Sequence, residues 1–492
     1  MTKKQLQVFW LLLAFQVIFL LVFVFFRLVD ADEGLYLEAA RLVSNGKVPY
    51  LDFFHNQMPY LPYTYSPVSD FGFSSLFLGR LVSAIASVAL GLLVFWLALR
   101  LSRSPEVSLL IFFLYGFHGL ILTWHSTVKT STLSDLWSFV SFVFFALHMV
   151  SRKQRAKNYL LLCSGIFAGL AFNFRLTHLV VPITEGLLIL LLFSSDSLKR
   201  RVCNLLFLLL GVILSSCFAI YLFLRDPLLF VFDNLVFRQV WGQMVIKMSF
   251  MSRLFTLSKF LLYPQDLLIL VLGSLSLAYL LRQRRQIGAF TSEHKVIVSS
   301  MSLALSIGIV SFLISPTQFQ YFEQTLPFLL LACVPALTLL KPRWRDKKVI
   351  VPTAILYLLC IVPFIVIFIL GIRAKDQQFT LKNVRKVVEV IRENSQPKDT
   401  VLSFAPLYVA LSQREPVPGL EAWGGEAAPH LTAEQLSESK LISLEQVKEI
   451  VKQAQVPLVV AEEWVLPDSD SMLWIDYQLL GKIAGVQIYK RR

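Results

Sequence analysis

The stretch DADEGLYLEAARLVSNGKVPYLDFFHNQMPY, beginning at Asp30, places Asp30, Asp32 and Glu33 within four positions, and follows them with Tyr50, Asp52, His55, Asn56 and Gln57 among aromatics and prolines. A carboxylate there can take the proton of an attacking hydroxyl. Amides, acids and rings together suit a sugar, whose hydroxyls need hydrogen bonds and whose ring faces need apolar surface. The same acids can instead cap a helix and enrich its first turn, and the aromatics can fold the segment onto a membrane surface. Three carboxylates in four residues exceed what a cap needs. Asp30, Asp32, Glu33 and His55 also offer hard oxygens and one imidazole to a divalent metal ion, at a spacing that fits no defined site.

The elements that must position these groups are apolar. The chain has 492 residues, 56% hydrophobic and 16% charged, with 41 phenylalanines, a composition that points to a polytopic α-helical membrane protein. Segments long enough to span, about 20 residues each, recur at 8–29, 73–99, 107–124, 134–150, 158–174, 176–194, 202–224, 264–281, 296–314, 324–340 and 349–371, which makes eleven. TKK at the N-terminus and the basic runs at 100–103, 152–157, 199–201, 282–285 and 341–348 fall in alternate breaks. Basic residues mark the cytoplasmic side, so the N-terminus is expected to be cytoplasmic, and residues 30–72 and everything after 371 extracytoplasmic. The net charge of +14 is then mainly a topology signal with some attraction to membrane lipids. The basic clusters are short and juxtamembrane, without interleaved stacking aromatics, which excludes nucleic acid. The five cysteines lie in or beside the spans and suggest no disulfide framework.

Two parts follow: a membrane domain over 1–371 with its first loop at 30–72, and a small α/β domain over 372–492. In the loop, EGLYLEAARLV sets Leu35, Ala39, Leu42 and Val43 against Glu38, Arg41 and Ser44, an amphipathic helix able to lie in the membrane interface and ended by Asn45-Gly46. In the tail, LKNVRKVVEVIREN and SLEQVKEIVKQAQ read as helices, and TVLSF, PLVVAEE and VQIYKR as strands, which predicts a largely parallel sheet. Trp423, Trp464 and Trp474 are candidate glycan contacts, with core packing the plainer reading.

The residues from DEGLYLEAARLV to HNQMPY resemble the first extracytoplasmic loop of the bacterial dolichyl-phosphate-mannose protein mannosyltransferase-like family. That family belongs to the GT-C superfamily of lipid-linked-sugar glycosyltransferases, as does the lipid A aminoarabinose transferase. Their acidic pair, amphipathic helix, Gly, Pro-Tyr, Asp-Phe and Pro-rich elements are each present. GIFAGLAFNFRLTHLVVP, QYFEQTLPFLLLACVPAL and the stretch from Arg392 to Gly419 resemble later, less specific family patterns.

The resemblance implies an integral-membrane glycosyltransferase of the bacterial inner membrane. It would move a hexosyl or pentosyl unit from a polyprenyl-phosphate carrier to a lipid, glycan or protein acceptor by inverting displacement. It implies that Asp32, beside Glu33, is the base and that Asp135, in TSTLSDLW, is a second acid. Lys129, Arg175 and Arg238 would face the phosphate, and Tyr50, Asp52, His55, Gln57 and Tyr321 the substrate. Each has a plainer reading: Asp135 as a cap of its helix, Arg175 as a snorkelling turn residue, and His125 and His178 as interfacial residues without ligand roles, which is preferred. Glu185 lies deep in a span, where an acid costs roughly 2.5–3.5 kcal/mol, and Arg80 is its candidate partner. The D-x-D at 30–32 and 468–470 is weak as a metal motif, and the second reads better as a turn. No P-loop, H-E-x-x-H or C-x-x-C is present. A transporter or flippase of a lipid-linked saccharide is the alternative, but the unrepeated halves count against it. A tail acting as a docking module on a mere anchor would not need eleven spans.

Overall fold

The structure is a computed structural model that describes residues 1–151, 154–192, 197–242, 247–287, 290–372, 374–422, 430–462 and 474–492. Trp423, Trp464 and the D-x-D at 468–470 lie outside the described residues.

Among the described residues, six helices are long and apolar enough to cross a membrane: Lys3–Phe26, Ser74–Ser102, Thr130–Val150, Pro264–Gln286, Ser292–Leu313 and Lys347–Phe368. Leu198–Ser215 and Cys217–Arg225 meet at 63° and make a seventh if read as one span. The chain is therefore a multi-pass membrane protein. The segment 158–174 lies in one helix, Gln154–Phe174, while two others are broken. Residues 107–124 fold as Pro105–Gly116 and Gly119–Trp124, and 324–340 as Leu326–Ala332 and Val334–Leu339. Trp10, Leu11, Phe15, Ile18 and Phe26 of the first helix are exposed, as a lipid-facing surface requires. At one end of the bundle Arg103 pairs with Glu293, and Lys341 and Arg345 both pair with Glu106, which gathers the basic breaks at 100–103 and 341–348.

At the other end lies the 30–72 loop. Its helix Ala31–Ser44 begins with a reciprocal cap: the Asp30 carboxylate accepts from the Asp32 N–H at 3.1 Å, and Glu33 accepts from the Asp30 N–H at 2.9 Å. The capping reading of these acids thus applies to Asp30 and Glu33. The interfacial reading of the helix needs correction, because its polar face is not wet. Glu38 and Arg41 are buried, paired at 2.8 Å, and Arg41 reaches Glu415 of the C-terminal part at 3.1 Å. The helix is sandwiched, with Leu35, Leu37 and Ala40 sharing one apolar core with Val384, Val388, Leu407 and Leu411.

The C-terminal sheet contains β1 (Thr400–Ser403), β2 (Glu415–Pro416), β3 (Leu458–Glu462), β4 (Tyr477–Ile483) and β5 (Val486–Arg491) in the order β2-β1-β3-β5-β4. It is mixed rather than largely parallel: β1 runs parallel to β2 and β3, while β5 is antiparallel to β3 and β4. Helix Pro406–Ser412, between β1 and β2, lies on the loop helix where Gly34 permits it. A Cβ at Gly34 would sit 2.3 Å from the Leu407 Cα and 2.4 Å from its nitrogen. Gly34→Ala is therefore expected to cost about 1–3 kcal/mol through overpacking. This should appear as a lower Tm in detergent and faster proteolysis of the C-terminal part. Gly273→Ala, with nothing within 4 Å, should change neither.

Candidate active site

Because Asp30 and Glu33 are committed to the cap, Asp32 is the carboxylate of the cluster left facing outward, with its side chain 52% exposed. Lys129 holds it at 3.2 Å and Asp30 at 3.2 Å. The Lys129 ammonium also lies 4.5 Å from the centre of the Trp124 ring, and the Arg27 guanidinium lies 4.7 Å from it. Burial opposes the Lys129 charge, but Asp30 and Asp32 outweigh it and raise its pKa above the ordinary lysine value. Trp124 also lines a cavity of about 650 Å³ walled by Leu262, Tyr263, Phe319, Phe364 and Phe368, with Lys259 at its edge. A mostly apolar cavity beside two cations and a half-exposed carboxylate suits an amphiphile with an anionic head.

Burial alone would raise the Asp30 pKa; Lys129, then Arg27 and the Asp32 N–H, hold it below the usual carboxylate value. Such a group adds stability that is present above its unfolded pKa, near pH 4, and lost as pH falls through the lower folded value. Asp30→Asn should accordingly flatten the acid limb of a Tm-versus-pH curve below about pH 4.

Glu33 is not free to act on substrate, which corrects its assignment as a catalytic acid. It is fully buried and takes Arg80 Nη2 at 2.6 Å, Arg80 Nε at 2.8 Å and the Val128 N–H at 3.0 Å besides its cap contact. Arg80 is thus the partner of Glu33 and not of Glu185, which accepts from Ser141 and Ser164 at 2.9–3.0 Å. The Val128 bond fixes the turn that presents Lys129.

Tyr50, Asp52 and His55 hold the loop, another correction. Tyr50 and His55 are 1% and 0% exposed, with ring centres 5.9 Å apart. The Tyr50 hydroxyl donates to the Gln57 carbonyl at 2.5 Å, and the His55 N–H donates to Asp233 at 3.1 Å. Burial holds the His55 imidazole neutral, its pKa lowered to about 3. Asp52 closes a turn on the Val48 N–H at 2.7 Å.

Gln57, Arg175 and Arg238, by contrast, line a second cavity of about 330 Å³ with Arg253, Asn234 and Thr177. Arg238 donates to the Asn56 carbonyl at 3.1 and 3.2 Å, and Arg175 stacks over Tyr321 at 4.7 Å. Tyr36 lies within electrostatic reach of Asp32, Lys129, Arg238 and Arg175, so these charges converge on one region.

Asp135 sits apart from the solvent-facing groups. It is 1% exposed, one turn into its helix, with His125 Nε2 at 3.4 Å and His178 Nε2 at 3.5 Å. It does not cap that helix, whose first position is Thr130. Glu323 completes the group, with ligand-type atoms of His125, Asp135 and Glu323 all within 4.8 Å of one another. These are the residues able to hold a metal ion, and among the described residues Asp30, Asp32, Glu33 and His55 form no such group.

The sequence matches no protein-family model and no curated protein. The fold does match solved structures. ArnT from Cupriavidus metallidurans bound to undecaprenyl phosphate superposes with a TM-score of 0.69 at 13% identity, over 97% of each chain. Its apo state gives 0.70 over the same shares. The oligosaccharyltransferase of Archaeoglobus fulgidus tethered to an acceptor peptide gives 0.54 at 14% identity, over 97% of this chain and 72% of that one.

The chain has the GT-C fold.

Within this GT-C fold, Gln57, Arg175 and Arg238 line the second cavity and Tyr321 lies under Arg175, while Lys129, with Asp32 against it, stands over Trp124 of the first; Glu33, Tyr50, Asp52 and His55 hold the loop instead. Sequence reasoning missed Glu323 as a candidate and preferred no ligand role for His125 and His178. The signal for Glu323 was slight: an acid in SPTQFQYFEQ, between apolar segments. Arg27 and Trp124 were also missed, since each read as the end of an apolar run.

Proposed function

We propose that the chain is an integral-membrane glycosyltransferase that moves a hexosyl or pentosyl unit from a polyprenyl-phosphate carrier to an extracytoplasmic acceptor. The observation that carries this reading is the half-exposed Asp32 carboxylate, paired with Lys129 beside the Trp124 wall of the aromatic cavity, in a GT-C fold. ArnT with bound undecaprenyl phosphate and the archaeal oligosaccharyltransferase with bound dolichol phosphate support the choice of carrier. The polyprenyl tail follows the cavity at Trp124 and Phe368, and its phosphate meets Lys129. Arg175 and Arg238, with Gln57 and Tyr321, complete the anion- and sugar-binding wall.

Asp32 takes the proton of the acceptor hydroxyl as its oxygen bonds to the anomeric carbon, and the carbon–phosphate-oxygen bond breaks on the opposite face. The leaving phosphate keeps the electron pair and is stabilised by the cations. One displacement inverts the anomeric centre. Asp135, expected to be a second acid, acts in this reading from beneath the site. The segments cross the membrane eleven times, with the basic breaks cytoplasmic, in a bacterial inner membrane.

The test is transfer of radiolabelled sugar from a panel of polyprenyl-phosphate donors in membranes carrying the protein, with the product anomer determined by NMR. Donor-dependent transfer with inversion is the expected result. If label is never transferred but the lipid-linked sugar changes leaflet, the protein is a carrier of that lipid.

A further inference from the structure

His125, Asp135 and Glu323 come from three separate elements: the turn after Gly119–Trp124, the helix Thr130–Val150 and the turn Phe319–Thr325. All three are at most 1% exposed. Their facing atoms are orphaned: His125 Nε2, both Asp135 carboxylate oxygens and Glu323 Oε2 have no hydrogen-bond partner. Buried polar atoms of native proteins are rarely left so, and four converging on one point make a stronger statement than one.

The tautomer sharpens it. The Tyr115 hydroxyl donates to the Ser87 carbonyl at 3.0 Å, and His125 Nδ1 lies 3.1 Å from Ser87 Oγ and 3.5 Å from the Tyr115 oxygen. With Ser87 Oγ as the acceptor and Nδ1 as the donor, the tautomer a metal ligand needs, Nε2 presents a lone pair toward two carboxylates. Three lone-pair donors facing one another repel unless a metal ion or a shared proton lies between them, and metal loading tells the two apart. Arg175 acts on both acids from a distance and cannot fill that position. His178 does not compete for it, because its Nε2 donates to Gln324 Oε1 at 2.7 Å and its Nδ1 accepts from Ser138 at 2.6 Å.

We infer that His125 Nε2, Asp135 and Glu323 bind a single divalent transition-metal ion. One imidazole and two carboxylates suit Zn²⁺ or Mn²⁺. A tetrahedral ion roughly 2.0–2.1 Å from each ligand sets ligand atoms roughly 3.3 Å apart, and His125 Nε2 lies 3.4 Å from Asp135 Oδ2. Glu323 closes the set with an inward shift of no more than roughly 1.5 Å. The ion ties the Lys129 turn to the element that carries Tyr321, so it braces the floor of the candidate active site. The site stands on its own geometry and does not depend on which reaction the chain performs.

The full-length protein, purified in detergent, stripped with chelator and reloaded with Zn²⁺ or Mn²⁺, is desalted and its metal measured by mass spectrometry. A single tightly held ion per chain is expected. Glu323→Gln and Asp135→Asn should each weaken binding more than about 100-fold, while Asp32→Asn keeps the ion. Should Asp135→Asn fail to fold, Co²⁺ loaded into the native protein gives a readout without a variant: intense tetrahedral visible bands are expected. Negligible metal in the native protein, no Co²⁺ spectrum, metal retained by Glu323→Gln, or metal lost from Asp32→Asn would each overturn the assignment. The first two outcomes would mean that a shared proton separates the acids instead.

Discussion

Asp32→Asn is expected to reduce sugar transfer by about 10²–10⁴-fold, the usual contribution of a positioned base, while leaving the fold intact. The second half of that statement makes the experiment decisive. The amide has the shape of the acid, and the carboxylate is absent from the cap, which uses Asp30 and Glu33. Its charged partner Lys129 retains Asp30 at 3.2 Å. A half-exposed side chain in such a position costs within about 0.5 kcal/mol when replaced. Matched Tm values with lost transfer place the base at Asp32. Full activity in the amide would remove it from the mechanism. Glu33→Gln is the contrasting variant, because it weakens a buried ion pair and should lower stability and transfer together.

Arg80→Ala should have the largest effect on stability, about 3–5 kcal/mol, the loss seen when one member of a buried ion pair is removed. Arg80 is fully buried within Ser74–Ser102. Besides both Glu33 oxygens it donates to the carbonyls of Val24, Arg27 and Leu28 at 2.9–3.1 Å. Those carbonyls end the first helix, where they have no intrahelical donors. One guanidinium therefore ties the end of the first span to the start of the loop helix. Arg80→Lys is expected to rescue little, since an ammonium cannot reproduce the two-pronged contact. The double variant Arg80→Met with Glu33→Leu should recover part of the loss. Recovery stays incomplete because the N–H groups of Asp30 and Val128 lose their acceptor. Denaturation of the native protein, Arg80→Met, Glu33→Leu and their double variant in one detergent measures the coupling, and a loss below about 1 kcal/mol for Arg80→Ala would contradict the expected effect.

Composition and hydropathy made the multi-pass helical class legible, and the local pattern from Asp30 to Tyr60 made the resemblance to GT-C enzymes legible. What local pattern could not do was divide the three acids by task. Asp30 and Glu33 do have the spacing of a reciprocal cap, and that spacing leaves Asp32 over. Periodicity also showed that the loop helix has two unlike faces without saying what covers them; the cover comes from Glu415 and Leu407, far along the chain. The His125, Asp135 and Glu323 group had no local signature, because Asp135 and Glu323 come from different segments with no ligand-type spacing to His125, and the three meet only through packing. β4 escaped notice because Gly481 and a register shift at Leu479/Gly481 break its alternation.

The bond from Arg41 to Glu415 joins residues 374 positions apart. A ribosome adding about 5–20 residues per second takes on the order of 20–75 s to cover that interval. Throughout it the loop helix has left the translocation machinery without the surface that completes it, its Glu38–Arg41 face bare and its apolar face held only by the spans already inserted. The element bearing Asp32 is thus among the first made and the last finished. Chains truncated before Glu415 should expose this helix to added protease, and a finished loop should arrive only with the final stretch of translation.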